Sequence, residues 1–259
     1  MSVDLNAVAE PPMPPLELRR SVGHDGTRDF ENPYGDLTFG ADVPIGNYAS
    51  VLDFGCGCGR VARQMMLQKQ ARPGRYLGVD LYEPSIRWCR DHLTRFDPAF
   101  RFEHMNVANL SLNPKGKQRA RIPTDDRYSL VNAHSVFTHI IGDEVEFYFE
   151  ECRRSLEPDG VLRATWFLFD KAYMPMMQDF QNALYVNATD PTNAVIYDHA
   201  YVRSLYRRAG LRIYAVHKPA IRGFQWLIYA KLEEGEDVDF PFDDGPLGVL
   251  PPPLTPEAE

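Results

Sequence analysis

Apolar and polar residues alternate in two rhythms along the middle of the chain. Apolar runs of strand length fall at 50–54 (SVLDF), 75–80 (RYLGVD), 100–105 (FRFEHM), 128–134 (YSLVNAH) and 161–169 (VLRATWFLF). Between them, apolar residues recur at helical spacing. Val61, Met65 and Met66 share one face of 60–70, and Ile86, Cys89, Leu93 and Phe96 form one stripe of 83–96, with Pro84 near its start. A further helix is predicted over 143–156, stopped by EPDG at 157–160, and another over 199–209. The runs 211–217 and 224–232 are joined by a linker too short for a crossover helix, so they are predicted to pair antiparallel.

Strands alternating with helices predict an α/β fold. The sheet is doubly wound, seven-stranded and mostly parallel, with helices on both faces and an antiparallel last strand. Such sheets bind ligands at the carboxyl ends of their strands, at the topological switch point. That end carries Gly55–Gly59, Asp80, Asn106 and His134.

The two ends of the chain break the rhythm. Residues 1–20 are proline-rich, and the tail from Glu233 is acidic and proline-rich, so both read as loop or disorder. FPF and LGVL in the tail are candidates for tacking it to the body. The organisation expected is an N-terminal extension over 1–40, a main domain over 41–232 and a tail over 233–259. Arg19, Arg20, Tyr34 and Phe39 of the extension are candidates for a cap over the crevice.

Composition narrows the function. The chain has 259 residues, 44% hydrophobic and 25% charged, which suits an ordinary globular protein. Its net charge of −8 disfavours phosphate backbones as partners, so nucleic-acid binding is not expected. No window approaches a membrane span and no signal peptide stands at the start, so a cytoplasmic protein with reduced thiols is expected. Cys56, Cys58, Cys89 and Cys152 lack the spacing of a zinc site or a disulfide framework, and no metal is expected.

The chemistry concentrates in VLDFGCGCGR, residues 51–60. Gly55, Gly57 and Gly59 follow a strand and open a helix, where glycine lets backbone approach a ligand closely. The spacing is G-x-G-x-G, not the G-x-G-x-x-G of a dinucleotide loop. Asp53 would repel a pyrophosphate but suits an ammonium or a sulfonium. The loop with its acid resembles motif I of the class I S-adenosylmethionine-dependent methyltransferases, and the resemblance extends over roughly residues 45–232. DFGCGCGR, NPKG (113–116), HSVFTHI (134–140) and TWFLF (165–169) are more narrowly similar to bacterial stand-alone methyltransferases acting on small molecules or glycans.

That resemblance implies a Rossmann-like methyltransferase fold and S-adenosylmethionine as cofactor. It implies cofactor-binding roles for Asp53, Gly55, Cys56, Gly57, Gly59, Arg60, Asp80, Leu81, Asn106, Val107, His134 and Ser135. Asp80 is expected to accept the ribose hydroxyls. Asn106 stands where the family usually has an acid beside the adenine, and Ser129 where it usually has one in strand four. His139 and His134 are candidates to take a proton from an acceptor hydroxyl, which favours O-methylation. The rival activities are N-methylation, a nicotinamide-dependent oxidoreductase and a non-catalytic cofactor-binding protein. YMPMMQDF (173–180) is a candidate acceptor lining. KGKQRAR (115–121) reads as solvated surface, and His24, His92, His104, His199 and His217 as surface or packing histidines.

Overall fold

A computed structural model describes residues 10–117, 119–219, 224–242 and 245–248. The expectations for residues 1–9, for Gln118 and for the tail beyond 248 lie outside the described residues. The elements run α1 (Leu16–Ser21), β1 (Ser50–Phe54), α2 (Arg60–Met66), β2 (Arg75–Asp80), α3 (Glu83–Cys89), β3 (Phe100–His104), β4 (Tyr128–Ala133), α4 (Asp143–Arg154), β5 (Leu156–Phe169), β6 (Ala183–Tyr185), β7 (Val195–Asp198), α5 (His199–Arg208), β8 (Arg212–His217) and β9 (Gln225–Lys231). Two compact units are present. One comprises residues 1–134 and 151–162, the other 135–150 and 163–259.

In the first unit the order is β3-β2-β1-β4, and β5 enters beside β4. The pairs β1–β2, β1–β4 and β2–β3 are parallel, with Asp53 opposite Gly78 on one side and Asn132 on the other. These strands are apolar because both faces are covered. Val51, Leu52, Val79, Phe102, Leu130 and Val131 are almost wholly buried. Since the strands are parallel, the loops after β1, β2, β3 and β4 leave at the same end.

In the second unit β5 pairs with β7 in parallel, β7 with β6 antiparallel, and β9 joins β5 to β8. The β8–β9 pair is antiparallel, as the short linker required. Phe137 stacks on Trp166 at 4.5 Å in its core. The result is the mostly parallel, Rossmann-like sheet expected, with nine strands among the described residues where the apolar pattern marks seven.

The two extra strands are β6 and β7, too short and too irregular in pattern to register as apolar runs. EPDG does not break the chain after α4. Leu156 is buried ahead of it, so β5 begins there and carries Glu157–Asp159 along as an outward-facing stretch. The helix predicted over 83–96 changes to a π-helical turn over Arg90–Thr94, with Leu93 still buried. The extension is not all loop: α1 is helical, and buried Arg63 of α2 donates to the carbonyls of Pro11 and Phe30. In the tail, Phe240 is buried and Phe242 stacks on Trp226 at 4.6 Å.

Candidate active site

The loop after β1 is held from behind by β2. The amides of Gly55 and Cys56 both donate to the Val79 carbonyl, at 2.8 and 3.0 Å. Gly57 and Gly59 adopt φ of +53° and +81°, a region that disfavours side chains. There is also no room for one. A Cβ on Gly57 would sit 2.5 Å from Val22 Cγ1, and one on Gly59 would sit 2.5 Å from Leu93 Cδ1. The chain after α1 therefore lies directly on the loop, close enough that the Arg19 charge acts on Cys58.

Asp80 braces the same loop. One carboxylate oxygen accepts from the Gly57 amide and the other from the Tyr82 amide, both at 2.8 Å. Burial pushes its carboxyl up, and these two amides oppose the shift. The Leu81 amide opposes it as well, and a carboxylate's roughly four acceptor sites still leave capacity for a ribose hydroxyl. Leu81 is fixed by the His104 ring, whose Nε2 lies 3.1 Å from the Leu81 carbonyl. His104, read from sequence as packing, thus supports a candidate site residue.

Asp53 is 1% exposed and sits inside the sheet. It accepts hydrogen bonds from the Tyr76 hydroxyl and from Asn132 Nδ2, the latter at 2.6 Å. Sequence reading missed both donors. They stand on the strands flanking Asp53, which only the sheet order reveals. Arg60 is half-buried beyond the loop. Burial lowers its guanidinium below its ordinary value, and the Asp53 charge is the foremost opposing influence. No hydrogen bond or ion pair joins Arg60 to another described residue, so its donors remain available.

Asn106 is exposed after β3. Asn113 Nδ2 donates to Asn106 Oδ1 at 3.1 Å and to the Val107 carbonyl at 2.9 Å. NPKG folds back so tightly that a Cβ on Gly116 would lie 2.3 Å from the Val107 carbonyl carbon. Cys56 and Cys89 both direct their thiols at the Gly57 carbonyl, at 3.6 and 3.9 Å. Burial pushes Cys56 and Cys89 well up and Cys58 to about 12, so these thiols are protonated fillers, not nucleophiles.

His134 ends the first unit directly after β4. In the second unit Ser135 holds a left-handed φ of +56°. Its amide donates to Thr165 Oγ1 at 2.7 Å, and its hydroxyl bonds the Gln225 amide group. His139 Nδ1 lies 2.9 Å from the Thr192 carbonyl. A carbonyl only accepts, so Nδ1 carries a proton, and in the neutral ring Nε2 is a free acceptor. Tyr173, Met176 and Phe180 are exposed. Asp170, Asp198 and His199 bring ligand-type atoms within 4.8 Å of one another. Their carboxylates already accept from the amides of Ala172, Lys171 and Tyr201, which knits the exit of β5 to the start of α5.

A side-chain-free bend, a braced carboxylate at the end of β2, a buried acid and an available guanidinium fit a zwitterionic adenosine cofactor. Residues 51–160 match the family described as "Methyltransferase domain". Among solved structures, the Haloferax volcanii complex of the Trm112 methyltransferase activator with a putative methyltransferase is similar. Identity is 18% over 74% of this chain and 86% of that one, with a TM-score of 0.52, which is a likeness of fold. A Burkholderia thailandensis 1,6-didemethyltoxoflavin-N1-methyltransferase matches at 20% identity over 72% of each chain, with a TM-score of 0.48. The [4+2]-cyclase SpnF matches at 18% over 65% of this chain and 53% of its own length, with a TM-score of 0.44. Residues 51–160 thus form a methyltransferase domain, and the sheet has the Rossmann-like methyltransferase fold. The protein is an enzyme, and S-adenosylmethionine is its cofactor.

Proposed function

We propose that this enzyme methylates a hydroxyl group on a small-molecule or glycan acceptor in the cytoplasm. In this reading Asp80 takes the ribose, Asn106 and Val107 border the adenine, and Arg60 pairs with the carboxylate of the amino-acid end. Residues 16–22 close over the glycine loop as a cap. When bound, S-adenosylmethionine supplies a methyl group on a positively charged sulfur. The observation that carries the hydroxyl preference is the hydrogen bond from His139 Nδ1 to Thr192. It leaves Nε2 to take the acceptor proton, while Nδ1 keeps its own. Exposed Tyr173, Met176 and Phe180 suit an acceptor with an apolar face. Labelled S-adenosylmethionine with extracts of small molecules and glycans, read by mass spectrometry, tests the reading. Methyl ethers are expected. In the His139→Ala variant turnover is expected to fall about 100-fold with the affinity for S-adenosylhomocysteine unchanged. Methylamine products, or full activity of that variant, would remove His139 as the base.

A further inference from the structure

Strands β6 and β7 leave no mark in the apolar pattern, and the chain joining them is where His139 finds its partner. The connection closes with the Val186 amide donating to the Ala194 carbonyl at 3.2 Å. Asn187 Oδ1 accepts from the amides of Thr189 and Asp190, at 2.9 and 3.2 Å. Asp190 Oδ1 accepts from the Thr192 hydroxyl at 2.6 Å and from the Thr192 amide at 3.2 Å, capping a single 3-10 turn over Pro191–Asn193. Short polar side chains thus bond the main chain of a connection that would otherwise be loose. The Thr192 carbonyl then meets His139 Nδ1 at 2.9 Å.

A second hold comes from β7. The Tyr197 hydroxyl donates at 2.6 Å to the carbonyl of Ile140, the residue after His139. Tyr197 is buried with its ring edge-on to Trp166 at 5.8 Å, and burial pushes its hydroxyl up, so it stays protonated and donates. We infer that Asp190 and Tyr197 are positioning residues for His139. Asp190 sets the Thr192 carbonyl, which keeps the ring proton on Nδ1, and Tyr197 sets the turn that carries the ring. Neither acts on the acceptor itself. The inference rests on the assignment of His139 as base and deepens it, because it gives an exposed histidine one defined acceptor nitrogen. A free neutral imidazole side chain prefers its proton on Nε2, which would leave Nε2 a donor where an acceptor is needed.

Nitrogen-15 NMR of the full-length protein decides it. At pH 9, where ordinary imidazoles are neutral, the ring nitrogens of His139 report which of them carries the proton, and His139→Gln assigns their signals. The wild-type ring is expected as the Nδ1–H tautomer. Asp190→Ala should move most of the population to Nε2–H, and Asp190→Asn, which keeps an acceptor oxygen, should restore it. Tyr197→Phe keeps the ring and is expected to shift the population the same way; if it fails to fold, the two Asp190 variants decide alone. In the extract assay above, Asp190→Ala is expected to lower methyl-ether formation about tenfold, with the affinity for S-adenosylhomocysteine unchanged. A wild-type ring protonated on Nε2 would overturn the inference, as would a tautomer unmoved in both Asp190→Ala and Tyr197→Phe. Full activity of His139→Ala would remove the base assignment and this inference with it, whereas an unmoved tautomer removes the inference alone, so the two failures are distinguishable.

Discussion

Three of the four cysteines surround the glycine loop, and all of them are buried. A protein that used these thiols chemically would need thiolates, yet burial favours the protonated form at each. The sign of the linkage follows. The folded chain holds thiol protons that the unfolded chain releases near the ordinary value of 9.0, so the native state binds more protons and stability falls as pH rises past that value. For Cys58, pushed up to about 12, the loss by pH 10 is about 1.4 kcal/mol. Melting temperatures at pH 7.5 and pH 10 check this. The drop between them is expected to be smaller in Cys58→Ala, which has nothing to titrate. An equal drop would assign the alkaline sensitivity elsewhere. The glycines of this loop were legible in the sequence because spacing and flanking acid are local signals. Tyr76, Asn132 and His104 were not, because each meets its partner across strands whose order the sequence does not state.

At the scale of elements, α2 does more than follow the loop. Arg63 is 3% exposed and faces residues before β1, donating to Pro11 and Phe30 and pairing with Glu10. Polarity alone reads Arg63 as a solvated position. Residues 1–20 read as loop or disorder, because proline and charge hide that Glu10, Pro11 and Phe30 are bound by another element's side chain. Arg63→Met keeps length and apolar bulk but strands two carbonyls. It is expected to destabilise the fold by about 2–4 kcal/mol. It should also speed proteolysis within residues 10–35, read by mass spectrometry of early fragments. Cleavage that starts elsewhere, with residues 10–35 intact, would show that the segment is held by other contacts. The strands of β6 and β7 were missed for a different reason. Short strands whose side chains are only partly buried leave no clean period.

For the molecule as a whole, the core of the fold was readable because parallel strands buried on both faces appear as continuous apolar runs. What lay outside that rhythm was set by particular contacts. The tail is the clearest case. Its acidity and prolines suggest disorder, yet Val238 donates to the Ile213 carbonyl and Ile213 to Asp237 Oδ1, so the tail continues alongside β8. Phe242 then stacks between Trp226 and the His199 ring, at 4.6 and 4.4 Å. Gly248 passes so close to Trp226 that a Cβ would lie 2.4 Å from its ring. Removing residues 236–259 uncovers an indole that is 1% exposed in the intact chain. Loss of the two phenylalanine contacts is expected to destabilise the protein by about 2–4 kcal/mol. Trp166 is buried independently of the tail, so the red shift in tryptophan emission should come from Trp226. It should vanish when the truncation is made in Trp226→Phe. Residues 16–22, Asp53, Asp80 and Arg60 belong to the other compact unit, so truncated protein that remains folded at low temperature is expected to bind S-adenosylhomocysteine as the full chain does. A truncated protein that melts normally and shows no red shift would mean the tail does not cover Trp226 in solution.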